Sequence, residues 1–337
     1  MLDELARPLR DLRVSVTDRC NLRCPYCMPR EVFGAGFEFL AREQLLSFEE
    51  IARLAQVLAR LGVRKVRLTG GEPLLRRGLE QLVQLLAAVE GIEELALTSN
   101  GLLLSPLRAR RLADAGLTRA TISLDALDDA VLETMNGAHV ASARALAAID
   151  AAAAAGLCPV KVNMVVRRGV NDHCVLDMAE RFRGSGHVLR FIEYMDVGST
   201  NGWQLADVVP AGEILAAIDA RWPLELPAPA HHGEVARSYR YRDGGGEIGV
   251  IASVTEPFCG GCTRARLSAD GKLFTCLFAQ QGHDLRALMR AGAGDDELAD
   301  ALAGVWRRRS DRYSAERGLT ARGERGAGRI EMSYIGG

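Results

Sequence analysis

Six of the eight cysteines fall into two groups whose spacing is that of ligands. Cys20, Cys24 and Cys27 have three and then two residues between them. A cubane 4Fe–4S cluster takes four thiolates, so a compact loop offering only three leaves one iron open to a small molecule. Zinc sites usually draw four protein ligands, often as two separated pairs, and no histidine lies near this loop. Iron–sulfur chemistry is the expectation there. In the second group two residues separate Cys259 from Cys262 and thirteen separate Cys262 from Cys276, and His283 follows closely enough to complete a Cys3His zinc site. Spacing alone serves zinc and iron–sulfur equally. The neighbours favour iron–sulfur: Arg264 and Arg266 flank Ala265 directly after Cys262, and arginine's planar fork suits a phosphate that a structural zinc knob has no use for.

Composition limits what such sites can serve. With 337 residues, 48% of them hydrophobic and 25% charged, the chain can bury a large core in one big domain or two. Lysine plus arginine (42) nearly balance aspartate plus glutamate (43), so no global field gathers nucleic acid or an anionic membrane. An anionic ligand must be held by local basic residues. The first twenty residues mix charges with single apolar residues, and no run of about 18 apolar residues occurs, which argues against a signal peptide or a membrane span. The cytoplasm is the expected location. There cysteines serve as ligands or buried thiols, and Cys158 and Cys174, outside both groups, read as small buried apolar residues. Arg307-Arg308-Arg309 reads as a solvated helix face.

The elements that position these residues alternate between strand and helix. Strand patterns fall at Arg13 to Val16, Val63 to Thr69, Ile92 to Thr98, Ala120 to Leu124, Val160 to Val166 and Val188 to Met195. Helical patterns lie between them, among them Ser47 to Leu61 with Ser47 and Glu50 in capping-box spacing, Gly78 to Val89 and the alanine-rich Ser142 to Ala155. About six βα units in series predict a parallel sheet, as a barrel or an open doubly wound sheet, with ligands at the carboxyl ends of its strands. After a helix from Ala211 to Ala220, the stretch Pro223 to Ala230 reads as a boundary between domains 1–222 and 231–337. Beyond it, Asp243-Gly244-Gly245-Gly246 and Asp270-Gly271 mark two hairpins, and the second cysteine group sits on and beside the latter.

Cys20, Cys24 and Cys27 with Tyr26 before the last, followed after the next strand by Gly70-Gly71-Glu72-Pro73, resemble the radical S-adenosylmethionine superfamily. Thr98-Ser99-Asn100-Gly101, Ser123-Leu124-Asp125, Lys161-Val162-Asn163, Phe191 to Met195, the second cysteine motif and the final Gly336-Gly337 narrow the resemblance, over nearly the whole chain, to its GTP-cyclising family in molybdenum-cofactor biosynthesis. The resemblance implies an incomplete (α/β)6 TIM-like barrel, closed by a carboxyl-terminal region, with a 4Fe–4S cluster at each end of its cavity. It implies S-adenosylmethionine contacts at Tyr26, Gly71, Ser123 and Met195. GTP contacts would be Arg13, Arg67, Thr98, Lys161, Arg264, Ala265 and Arg266, and Gly336 and Gly337 would serve catalysis from a tail inserted into the barrel. The implied reaction takes hydrogen from C3′ of GTP through an adenosyl radical and joins C3′ to C8. Implied partners are GTP, a flavodoxin or ferredoxin as electron donor and a cyclic pyranopterin monophosphate synthase that receives the product. The resemblance admits a homodimer.

Residue by residue, plainer roles compete. Arg67 and Lys161 lie in strands where alternation could turn them to solvent, Met195 could fill core, and a terminal Gly-Gly could simply fray. Two other functions remain open, a radical enzyme that modifies peptides and a zinc-stabilised nucleotide-binding module without catalysis.

Overall fold

The computed structural model describes residues 1–227, 235–317 and 328–337. Six parallel strands in chain order make its centre: β1 (Asp11–Ser15), β2 (Lys65–Thr69), β3 (Glu94–Ser99), β4 (Arg119–Ser123), β5 (Lys161–Val166) and β6 (Val188–Glu193). Between them run α1 (Phe48–Arg60), α2 (Leu79–Ala87), α3 (Pro106–Asp114), α4 (Asp129–Asn136), α5 (Ser142–Ala154) and α6 (Val175–Phe182), and α7 (Ala211–Arg221) follows β6. The expected capping box is formed: Ser47 Oγ accepts from the Glu50 amide, Glu50 accepts from the Ser47 amide, and Gly62 ends the helix at a φ of +118°.

The sheet does not stop at β1 and β6. The short β7 (Leu224–Glu225) precedes a hairpin of β8 (Arg237–Tyr241) and β9 (Glu247–Ile251), and β9 pairs in parallel with β6. A second hairpin, β10 (Arg264–Leu267) and β11 (Lys272–Phe274), pairs β10 in parallel with β1, and β12 (His283–Asp284) extends that edge. Both hairpins read from Asp-Gly turns are thus present, and both continue the barrel sheet. The stretch 223–230 runs into residues outside those described, and the strands before and after it share this one sheet. Among the described residues no helix is long and apolar enough to cross a membrane.

Side-chain parity explains how this barrel differs from a filled one. Leu12, Val14, Val66, Leu68, Leu95, Leu97, Val162 and Met164 are almost fully buried against the helices. Their neighbours one residue along, Asp11, Arg13, Lys65, Arg67, Glu94, Lys161 and Asn163, face the interior. A closed eight-stranded barrel fills that interior with apolar layers. Here it is a cavity of about 830 Å3 into which charged strand side chains reach.

Two readings need correction. Cys174 is buried but Cys158 is exposed, because it sits in the turn leaving α5, where the chain passes over the surface before β5. Arg307 and Arg308 are exposed at the end of α9 (Asp295–Arg307), which follows α8 (Leu285–Arg290), but Arg309 is 4% exposed. The helix has ended by then, and the chain turns Arg309 inward against the amino-terminal segment, where the Glu4 amide donates to its carbonyl.

A buried carboxylate joins the barrel to the closing strands. Glu193, 0% exposed at the end of β6, accepts from the amides of Ala211 and Val254 at 2.8 Å and of Thr255 at 3.0 Å, and from the Thr255 hydroxyl. Glu193→Ala strands the buried Ala211 amide and the partly buried Val254 amide, at up to about 1–3 kcal/mol for a donor left unsatisfied, and less for those of Thr255, which water can reach. Chemical denaturation is expected to show at least about 2 kcal/mol of lost stability; a midpoint and slope equal to wild type would refute the bridging role.

Candidate active site

The two cysteine groups lie at opposite ends of the cavity. The first loop leaves the carboxyl end of β1. Met28 and Cys27 amides donate to the Cys24 carbonyl at 2.8 and 2.9 Å, and Arg23 ties the turn by donating to the carbonyls of Cys20, Leu22 and Phe33. The second group enters from the other end: amides of Arg10 and Asp11, at the start of β1, donate to the Thr263 carbonyl next to Cys262. Cys276 follows β11, which runs antiparallel to β10 and returns to the same end. All six sulfur-bearing residues line the one cavity. The five residues of β1 span on the order of 15 Å between the two groups.

The expected zinc partner is not in this arrangement. His283 is exposed on the edge strand β12 and does not line the cavity. Among the described residues no three His, Cys, Asp or Glu side chains converge on one ion. A cluster ligated by one thiolate per iron does not need such convergence.

At the first end the glycine-rich segment approaches the cysteine loop backbone to backbone. Gly71 and Glu72 amides donate to the carbonyls of Thr17 and Arg19 at 2.8 Å, and a Cβ on Gly71 would overlap the Arg19 carbonyl oxygen. Glu72, 1% exposed, accepts from the Leu74 amide, the Ser99 hydroxyl and the Asn100 amide, which locks Gly70-Gly71-Glu72-Pro73 onto Ser99-Asn100. Tyr26 donates to Asp125 at 2.9 Å, and burial pushes the Asp125 carboxyl up to about 6. Ser123 and Met195 line the cavity here, with the Ser253 hydroxyl 3.3 Å from the Met195 sulfur. The thiols of Cys20 and Cys24 are pushed up by burial, Cys20 to about 11.

The opposite end is strongly cationic. Arg13 pairs in register with Arg266 on one side and with Arg67 on the other, so three guanidinium stems stand in one row on adjacent strands. The row before it alternates in sign, Arg264, Asp11, Lys65, Glu94, and is internally compensated. The arginine row has no acid between its members. Burial first, then the charges of Arg266, Arg67 and Arg264, hold Arg13 well below the usual arginine range. Burial, then Arg190 and Arg119, pulls Lys161 down to about 7. The Nε atoms of Arg13 and Arg67 are buried without a hydrogen-bond partner in the protein. Such crowding suits an anion with several acceptor oxygens. Burial also opposes ionisation of Cys262, but Arg264 and Arg309 outweigh it and bring that thiol down to about 6.

Most residues expected from the sequence meet at this cavity. Arg67 is 7% exposed and donates to the hydroxyls of Thr98 and Thr121 at 3.1 Å, so neither it nor Lys161 is a solvated strand residue. Ala265, in register with Leu12 and fully buried, does not line the cavity. The chain's last residues follow α11 (Met332–Ile335), itself preceded by the short α10 (Tyr313–Glu316): Gly336 accepts from Arg266 through its carbonyl, lies against Thr69 where a Cβ would collide, and Gly337 lines the cavity. The glycine-rich residues 323–327 before the tail lie outside those described. Sequence reasoning missed Lys65, Arg119 and Arg190, whose charges on alternating strand positions look solvated until the lumen proves polar.

The partial parallel barrel and a three-cysteine loop beside Gly70-Gly71 define a radical S-adenosylmethionine protein, and residues 14–182 match the Radical SAM superfamily. Residues 187–315 match Molybdenum Cofactor Synthesis C. Streptococcus suis SuiB bound to S-adenosylmethionine shares the fold, with a TM-score of 0.64 at 14% identity over 94% of this chain and 69% of that one. The chain belongs to the GTP 3′,8-cyclase family: it is 54% identical to the GTP 3′,8-cyclase of Acidothermus cellulolyticus and 48% identical to that of Staphylococcus aureus, over 99% of this chain and 98% of each relative. Radical S-adenosylmethionine proteins carry a 4Fe–4S cluster and bind S-adenosylmethionine, and three clustered thiols beside a backbone cradle with no room for a Cβ fit both groups.

Gly71→Ala is expected to push the cysteine loop and the glycine-rich segment apart. Equilibrium binding should show S-adenosylmethionine weakened about tenfold or more, that is by at least about 1.4 kcal/mol, together with a lowered thermal midpoint. Unaltered affinity would mean that the close approach has no part in the site.

Proposed function

We infer that this chain joins C3′ of GTP to C8, giving (8S)-3′,8-cyclo-7,8-dihydroguanosine 5′-triphosphate for molybdenum-cofactor synthesis. The observation that carries this reading is the row Arg266, Arg13, Arg67, with no acid between its members, held between two cysteine groups in one cavity. When bound, the first cluster and S-adenosylmethionine supply the radical that takes hydrogen from the ribose, chemistry no side chain can perform.

The protein's own groups bind, orient and exclude water. Cys20, Cys24 and Cys27 hold the first cluster, and Tyr26, Gly71, Ser123 and Met195 surround S-adenosylmethionine. Cys259, Cys262 and Cys276 would hold a second cluster, which would supply a binding point for the guanine base. Arg13, Arg67, Lys161, Arg264 and Arg266 neutralise the triphosphate, and Thr98 fixes Arg67. Placing the ribose between the two ends brings C3′ towards the first loop while the base stays at the second, which converts cyclisation into an intramolecular step. The same reading includes a flavodoxin or ferredoxin donor, product hand-over to a cyclic pyranopterin monophosphate synthase, and a homodimer. A peptide substrate is less well matched, because a compact cavity crowded with arginines favours a small polyanion.

Anaerobic incubation with GTP, S-adenosylmethionine and dithionite, followed by mass analysis of the nucleotide, tests the reading. In that assay Cys24→Ala should abolish S-adenosylmethionine cleavage. Cys262→Ala should lose GTP binding and cyclisation yet keep some uncoupled cleavage. Normal cyclisation by the Cys262→Ala chain would remove the substrate-binding role of the second group.

Deleting Gly336 and Gly337 tests the tail. Both clusters and GTP affinity should stay nearly intact while cyclisation falls strongly, and free tail peptide should restore part of it. A truncated enzyme with normal product yield would show that the glycines do not serve the reaction.

A further inference from the structure

Arg309 lines the cavity beside the second cysteine group, where neither motif nor helix pattern marks it. Its Nη2 donates to Cys262 Sγ at 3.2 Å and its Nη1 to the Cys262 carbonyl at 2.7 Å. Its Nε donates to Asp311 at 2.8 Å, and Asp3 lies 3.5 Å from Nη1. The planar fork therefore grips sulfur and carbonyl of one cysteine while two carboxylates hold it from behind.

The anchor is itself built. Asp3 is 7% exposed and accepts from Arg7 Nε at 2.6 Å and from the Arg7 amide at 2.8 Å. Arg7, 2% exposed, reaches on to the carbonyls of Cys259 at 2.9 Å and Asp311 at 2.7 Å, and Trp306 Nε1 donates to the Arg7 carbonyl. The Trp306 ring lies under the Arg309 guanidinium, 4.6 Å from its centre. The first seven residues thus fold back to brace two of the three cysteines at the far end of the barrel. Two buried arginines with two carboxylates are costly to assemble, and a buried ion-pair network of this kind is weak evidence for a role in stability. Stability alone does not account for this arrangement, whereas orienting a ligand sulfur does.

We propose that Arg309, seated by Asp3 and Asp311, is a positioning residue for the second cluster, aiming the Cys262 sulfur at its iron and donating a hydrogen bond to that sulfur. Arg264, which donates to the same sulfur through Nε and Nη2 at 3.3 Å, lines the cavity on the substrate side. Arg309 lines the same cavity and holds that sulfur together with the Cys262 carbonyl from the side of Asp3 and Asp311. The assignment rests on the second-cluster reading above. Hydrogen bonds to ligand sulfurs raise a cluster's reduction potential, and outer partners of metal ligands are typically worth 10–100-fold in metal affinity.

The test uses the full chain with Cys20, Cys24 and Cys27 changed to alanine, reconstituted anaerobically so that only the second cluster remains. This background should hold about four irons and give an electron paramagnetic resonance signal on reduction. Arg309→Lys keeps a cation between Asp3 and Asp311 but not a fork that spans sulfur and carbonyl. It should melt near the background, show an altered resonance signal and a more negative midpoint potential, and lose iron to a chelator about tenfold faster. Asp3→Asn weakens the anchor without removing either bond to Cys262, and should lower the melting point more than it alters the signal. If lysine is not accommodated, Arg309→Gln should give the same spectral change. An Arg309→Lys or Arg309→Gln chain with the background's signal and iron-loss rate would overturn the assignment, as would an Asp3→Asn chain showing the same spectral change. A background without iron would overturn the second-cluster reading itself, an outcome the iron count alone identifies.

Discussion

Three guanidinium groups side by side on adjacent strands are the constraint around which the rest of this protein is arranged. Arg266, Arg13 and Arg67 stand at neighbouring positions of β10, β1 and β2 with no acid in their row. Strands lie about 4.8 Å apart, so these charges repel one another in a partly dry cavity. The fold offsets that repulsion elsewhere. On the opposite face of the same strands Leu12, Val14, Val66 and Leu68 are buried against α1 and α2, and the next row of lumen charges alternates in sign. The cost is reclaimed when an anion arrives. On the proposed reading this local positive charge serves a polyphosphate, although the chain's net charge is only −1.

The same constraint explains why the barrel is open and then closed by strands from the far end of the sequence. A continuous barrel of eight βα units would bring inward side chains close enough to fill the interior. Here the six units leave a gap that β9 and β10 reach from either edge, and β10 brings Arg264, Arg266 and the second cysteine group with it. Glu193 fastens one edge by accepting from the Val254 and Thr255 amides, and Arg10 and Asp11 fasten the other through the Thr263 carbonyl. Two of the cavity's arginines and the second cysteine group are thereby delivered by the closing segment, so the lining is complete only once the sheet is.

Much of this was legible in the sequence, and the exceptions share one cause. The cysteine spacings, the glycine-rich segment, the six strand patterns and both hairpin turns announce themselves locally, because ligand sets and turns are short-range. Lys65, Arg119 and Arg190 do not, since a charged residue alternating with apolar ones in a strand looks the same whether its outer side is solvent or a polar lumen. Arg309 was hidden by Arg307 and Arg308 before it; only the end of α9 separates the exposed pair from the buried member. His283 had the right distance along the chain for zinc but sits on an edge strand pointing away. Cys158 looked like core by residue type, and its place in a surface turn decided otherwise.

The electrostatic contrast between the two ends follows from the elements that supply them. Around the first loop burial dominates, and Glu72 beside Cys20 and Asp125 beside Cys24 add to it against the weaker pull of Arg23 on Cys20, so a thiol there is hard to ionise without a metal. At the other end Arg264 and Arg309 overcome the burial of Cys262. A cluster in acidic, dry surroundings has a lower reduction potential than one ringed by hydrogen-bond donors and cations. On the proposed reading, the end that must deliver an electron to S-adenosylmethionine is the one whose arginine, Arg23, donates to backbone carbonyls and not to a sulfur. The end that must hold a polyanion is the one it surrounds with them. One cavity can then serve both tasks because β1 runs between its ends, with the arginine row partway along it.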